Sequence, residues 1–127
     1  MNTVKTYKAT CHCGAVEMKV TLPNGITAPS RCDCSYCRRR GTIVVETGLE
    51  NMEIMKGAES LTLYQFHTET AQHYFCKICG INTHHKQRMN PNRFSINVGC
   101  LEGINPFDLG SVPTNDGVNH PSDRNGS

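Results

Sequence analysis

Eight cysteines in 127 residues constrain this chain more than any other feature, because so many thiols must be bridged, ligated or buried. They fall into Cys11-His12-Cys13, Cys32-Asp33-Cys34-Ser35-Tyr36-Cys37, Cys76-Lys77-Ile78-Cys79, and Cys100 alone. Within Cys11/Cys13 and within Cys32/Cys34 the spacing is too short for an unstrained disulfide. Eight cysteines also allow about 105 pairings, with nothing to select one. Met1 to Thr10 has no apolar run of the kind an export signal needs, so a reducing, cytoplasmic setting is expected, where thiols persist. Metal ligation is the stronger reading.

The remaining composition sets the scale. A chain this short supports one domain, since two cores would have about sixty residues each. Only 37% of residues are apolar and Trp is absent, so the core is thin. Thirteen Lys plus Arg against eleven Asp plus Glu leave +2, too slight a charge to indicate a nucleic-acid or membrane-surface binder. No stretch approaches the roughly 18 apolar residues of a membrane span.

Alternation predicts strands. Val16, Met18, Val20 and Leu22 alternate with polar residues up to the turn Pro23-Asn24-Gly25, and Thr42 to Glu46 is a β-branched run. Leu61 to Phe66 and Ala71 to Phe75 read as two strands joined by the polar turn His67 to Thr70. Phe94, Ile96 and Val98 alternate again. One helical turn, Ser35 to Arg40, is the only helix expected. Residues 1–109 form the domain. Residues 110–127 are a polar tail too poor in apolar side chains to order itself, so it either lies against the domain or stays coil.

Ligand counting assigns the thiols. In Cys76-Lys77-Ile78-Cys79-Gly80, two intervening residues let both sulfurs converge on one ion and Gly80 permits the tight turn afterwards. Cys11 and Cys13 supply the other two donors of a closed, structural four-thiolate site, with zinc the expected occupant. Cys32, Cys34 and Cys37 are three donors, and three protein ligands on tetrahedral zinc make a catalytic arrangement. The alternative is that Cys100 or a histidine closes this second site and makes it structural too. A lone Cys100 following an alternating apolar run is more simply a small buried group.

Charge decides what a three-thiolate site suits. Zinc with three thiolates carries −1, which makes it a poorer activator of water than zinc on imidazoles. It suits an incoming thiol, held as the nucleophilic thiolate. The site then reaches −2 and needs nearby cations, each contributing about 4 kcal/mol at about 4 Å and a dielectric near 20. Arg38-Arg39-Arg40 follows immediately: either a solvated basic run, or a source of at least one guanidinium that balances thiolates or holds a carboxylate. Seven thiolates and two divalent ions together subtract three charges from +2, leaving about −1. Of the six histidines, His73 faces away from Cys76 on a strand, so no proton acceptor is selected among His12, His67, His73, His84, His85 and His120. Tyr36 shapes the mouth of the site or packs in a turn.

The succession C-x-C-G (Cys11 to Gly14), C-x-C-S-x-C-R-R (Cys32 to Arg39), A-x-H-Y-F-C-x-x-C-G (Ala71 to Gly80) and Asn97-Val98-Gly99-Cys100-Leu101 resembles the glutathione-dependent formaldehyde-activating enzyme and centromere protein V family. The resemblance covers nearly all of the chain except the tail. It implies a mainly β fold of small antiparallel sheets on a zinc-ribbon-like core, similar to methionine-R-sulfoxide reductases. It implies a structural zinc on Cys11, Cys13, Cys76 and Cys79 and a catalytic zinc on Cys32, Cys34 and Cys37. Glutathione is the implied thiol, and the implied activity is that of a carbon–sulfur lyase forming S-(hydroxymethyl)glutathione.

Two functions follow. The favoured one is a zinc-dependent carbon–sulfur lyase-type enzyme that joins glutathione, or a similar thiol, to formaldehyde or another small carbonyl. In it Cys32, Cys34 and Cys37 activate, and Arg38 or Arg39 holds a glutathione carboxylate. The alternative is a zinc-ribbon-like binding module with both metals structural, supported by Arg38 to Arg40, Lys86 and Arg88. Sparse aromatics near those bases and the near-neutral charge argue against nucleic acid.

Overall fold

The computed structural model describes residues 4–32, 34–65, 71–87 and 92–115. Asp33, Phe66, His67, Arg88, His120 and the turn at 67–70 lie outside the described residues. In chain order the elements are β1 (Lys5–Thr10), β2 (Glu17–Leu22), β3 (Arg31–Cys32), α1 (Ser35–Arg40), β4 (Val44–Gly48), β5 (Met52–Lys56), β6 (Leu61–Tyr64), β7 (Gln72–Cys76), β8 (Asn82–Lys86), β9 (Arg93–Asn97) and β10 (Thr114–Asn115). The fold is mainly β, as expected.

Two antiparallel sheets build it. The first has the order β1-β2-β5, the second β4-β9-β8-β7-β6. Alternation in β2 buries Met18, Val20 and Leu22 on one face. They join Val45 of β4, Ile96 of β9 and Cys76 of β7 in one core, extended by Val16, Val98 and Leu101. Each such apolar side chain contributes about 1.5–3 kcal/mol when buried. Thr47 Oγ1 donates to Thr21 O at 2.8 Å, a further link between the sheets.

Cross-strand pairing in the larger sheet sorts its two faces. Val45, Ile96, His84 and Tyr74 form a row on the core side. The adjacent row, Glu46, Ser95, His85, His73 and Tyr64, faces the other way. Helix α1 lies over that second face: the Tyr36 ring stands 5.3 Å from Tyr64 and 4.4 Å from His73.

The expected strands are present, within a residue or two at most ends, and α1 spans Ser35–Arg40 as read from the sequence. Three of the strands not expected from the sequence are β1, β5 and β8. β1 buries only Ala9, and β5 is an edge strand with four exposed residues, so both owe their conformation to pairing with β2. β8, Asn-Thr-His-His-Lys, is central yet polar, and Asn82 Nδ2 donates to Tyr74 O at 2.9 Å. The start of the polar tail lies against the domain: Thr114 and Asn115 pair with Arg31 and Cys32, and this two-stranded piece is parallel. No helix among the described residues is long and apolar enough to cross a membrane.

Candidate active site

All eight cysteines are free thiols, and seven of them gather into two clusters. Cys11 and Cys13 sit in the connection from β1 to β2, Cys76 ends β7, and Cys79 lies in the tight turn to β8. Their four sulfurs all lie within 4.8 Å of one another. Cys13 Sγ stands 3.7 Å from both Cys11 Sγ and Cys76 Sγ. Zinc–sulfur bonds of about 2.3 Å in a tetrahedron require sulfur–sulfur edges of about 3.8 Å, so the cluster has the dimensions of a zinc–thiolate cage. Gly80 (φ 79°) turns the chain after Cys79 and its N–H donates to Cys76 O at 2.7 Å. Backbone N–H groups of Val16 and Ile78 donate to Cys11 Sγ and Cys76 Sγ, favouring their thiolates. At Cys79, burial opposes ionisation, but the Ile81 and Cys13 N–H groups and neighbouring thiols bring it down to about 6.

The second cluster is Cys32, Cys34 and Cys37, again with all sulfurs within 4.8 Å. Cys32 ends β3, Cys34 caps α1 and Cys37 lies in its first turn, so one short segment positions all three. The Cys34 N–H donates to Cys32 Sγ, the Cys37 N–H to Cys34 Sγ, and Arg40 Nη2 to Cys37 Sγ, at 3.3–3.5 Å. Three sulfurs this close compete for charge. The Cys32 and Cys37 thiols hold Cys34 well below the usual range by hydrogen bonding. The Cys34 thiol pushes Cys32 up, and Cys32 and Cys34 push Cys37 far up. All three ionise together only around a cation, which the donor set fits. Cys37 is buried, whereas Cys32 and Cys34 are half-buried, so the cluster meets solvent on one side.

Among the described residues, these three make up the whole donor set of the second cluster. Cys100 does not join it: its Sγ donates to Asn82 O at 3.6 Å, and burial pushes its thiol up to about 12. It belongs to the apolar core.

Of the three arginines, Arg40 turns toward the cluster and also lies over the Tyr36 ring, 5.1 Å from its centroid. Arg38 is exposed, and exposed Arg39 donates from Nη1 to Ser35 O of its own helix at 2.7 Å. Beside Arg40 opens a cleft of about 370 Å³ lined by Tyr36, Arg40, Phe75, Ile81, Asn82 and Asn97, among others. Tyr36 thus shapes the site and packs as well, stacking on Tyr64 and His73.

Sequence alone selects none of the six histidines, and the structure brings His73 and His85 together. The His73 ring lies against Tyr36, the His85 ring is 4.9 Å from that of His73, and burial, with the charges of His73 and Arg40, lowers His85 to about 3. The period-2 rule had correctly turned His73 away from Cys76. That direction is the one facing α1, which no local pattern discloses. His84 points into the core instead, stacked on Tyr74 at 4.8 Å and bonded to Thr83 Oγ1 at 2.8 Å.

The family model for glutathione-dependent formaldehyde-activating enzymes matches residues 6–110, which include both cysteine clusters. The chain belongs to this family. A Halomonas elongata protein provisionally named for the same enzyme is 31% identical over 80 residues, covering 57% of this chain. The chain spans about half the length of that curated relative. A crystal structure of a Rhodobacter sphaeroides protein is similar at 56% identity and a TM-score of 0.83, covering 85% of this chain and 99% of that one.

Proposed function

We propose that the chain is a zinc-dependent carbon–sulfur lyase-type enzyme that adds glutathione, or a similar thiol, to formaldehyde or another small carbonyl. The observation that carries this is a cluster of three sulfurs rather than four among the described residues, bonded through Cys37 Sγ to Arg40, a residue in the wall of a cleft. Cys11, Cys13, Cys76 and Cys79 would hold a structural zinc, and Cys32, Cys34 and Cys37 a catalytic one. Zinc bound by three thiolates supplies an attachment point at which an added thiol is kept as thiolate.

The chain's own residues do the rest. Backbone N–H groups at Cys34 and Cys37 and the Arg40 guanidinium stabilise the concentrated negative charge. Arg38 and Arg39, on the exposed side of α1, each offer a guanidinium to a glutathione carboxylate. In the reaction the thiol sulfur bonds to the carbonyl carbon, the carbon–oxygen π bond opens, and the thiol proton ends on that oxygen. Nothing is oxidised or reduced. The reverse is carbon–sulfur cleavage. Free thiols throughout the chain favour a reducing, cytoplasmic location.

Calorimetric titration of reduced glutathione into protein of measured zinc content tests this reading. Binding that appears only with the second equivalent of metal is expected; equal binding with one equivalent would remove the role of the triad.

A further inference from the structure

The triad draws its sulfurs from two pieces of chain. Cys34 and Cys37 belong to α1 and its cap, whereas Cys32 ends β3, a strand of two residues that joins neither larger sheet. So short a strand is marginal by itself. Just before it, Ser30 is fixed to β4: its N–H donates to Val44 O at 3.0 Å, and the Val44 N–H donates back to Ser30 O at 2.9 Å. At Arg31 and Cys32 the pairing passes to β10. Thr114 and Asn115 lie parallel to them, and the Arg31 N–H donates to Pro113 O at 2.9 Å. Val112 packs against the main core and so anchors this run of chain. Residues 111–115 follow directly on residues 6–110, the stretch that the family model matches. What steadies Cys32 therefore comes from outside that match.

We infer that residues 111–115 are a positioning strap for the second metal site: anchored by Val112, they set where Cys32 stands relative to Cys34 and Cys37. This rests on the reading above only for the metal at the triad. Zinc–sulfur bonds of about 2.3 Å require sulfurs about 3.8 Å apart, and such a geometry must be held to about 0.5 Å. Cys34 and Cys37 keep their spacing through the first turn of α1, where the Cys37 N–H donates to Cys34 Sγ. Cys32 has no such internal brace and depends on the strand that flanks it. Val112 is no ligand; it acts through Cys32.

The test uses the full chain, as wild type, Val112→Asp, Val112→Ile and Asn115→Pro. Each is titrated with zinc in competition with a chromophoric chelator, and with cobalt(II), whose visible absorption separates four-sulfur from three-sulfur coordination. Val112→Asp puts a charge where the strap meets the core, and Val112→Ile keeps that contact apolar. Asn115→Pro leaves the anchor in place but removes the backbone N–H of the residue paired with Cys32. Val112→Asp and Asn115→Pro should each weaken metal at the triad about 10- to 100-fold and change the four-cysteine site less than about twofold. Val112→Ile should stay within about twofold of wild type at both sites.

An unchanged triad, or an equal loss at both sites, overturns the strap in any folded variant. Should Val112→Asp not fold, Asn115→Pro decides by the same criteria, and its own failure to fold also counts against the strap. A wild type that takes one zinc equivalent overturns the strap and the thiol reading together. Selective loss of the second metal in the variants, with no glutathione binding by the zinc-loaded wild type, sustains the strap and overturns the thiol reading.

Discussion

Cys34 does two jobs at the level of single residues: it is a sulfur of the triad and the cap of α1, where its Sγ accepts from the Cys37 N–H. Serine also caps helices well, so Cys34→Ser should leave the fold intact. It should remove the second zinc and lower thiol-dependent turnover by more than about 100-fold, read by metal analysis and a formaldehyde–glutathione assay. Gly57 is constrained differently. Its φ is +83°, and a Cβ there would come within 1.9 Å of Ala15 O. Gly57→Ala combines left-handed strain with a backbone clash and should cost more than about 2 kcal/mol in urea unfolding. Neither cost was readable from the chain alone. Gly57 lies between a strand and a 3-10 turn, and its neighbour Ala15 is forty-two positions earlier.

Among the elements, α1 is too short to be stable alone, since isolated helices of six residues do not hold in water. Tyr36 pins it to the sheet through Tyr64 and His73, and the triad ties its first turn to β3. Tyr36→Ala should therefore weaken zinc at the triad about 10-fold and spare the four-cysteine site, measured by competition with a chromophoric chelator. Cys79→Ser acts on another pair of elements. It cuts the cage that joins the β1–β2 connection to the β7–β8 turn. Structural zinc contributes apparent binding of about 10–16 kcal/mol, comparable to a small domain's whole stability, so this variant should lose its far-ultraviolet circular dichroism. The helix and the alternating strands were visible beforehand because their signals are local. β8 was not: its polar residues are held by strands on either side rather than by an apolar face of their own.

For the whole molecule, two buried imidazoles make stability depend on pH. Burial lowers His84 to about 4 and His85 to about 3, whereas unfolded histidine titrates near about 6.5. The unfolded chain thus binds more protons in that window. The stability from keeping these rings neutral is complete above about pH 6.5 and drains away as pH falls toward 4 and then 3. With zinc saturation held constant, His85→Gln should flatten the slope between pH 6 and 4 by about 1.4 kcal/mol per pH unit, measured by urea unfolding. An unchanged slope would show that His85 is already protonated in the folded protein.

The cysteine spacing by itself determined the grouping of seven thiols into a set of four and a set of three, because ligand number and tetrahedral geometry leave few ways to satisfy them. Apolar alternation likewise determined the mainly β class, and the run Ser35 to Arg40 the position of α1, because both depend on contacts a few residues apart. The core position of Cys100 agrees with the alternating apolar run before it, whereas only the tertiary structure decided which arginine turns inward and that His73 packs against Tyr36 with His85 beside it. Those outcomes depend on which face of a sheet a helix covers. That is settled by strand order and packing between distant segments, about which local periodicity is silent.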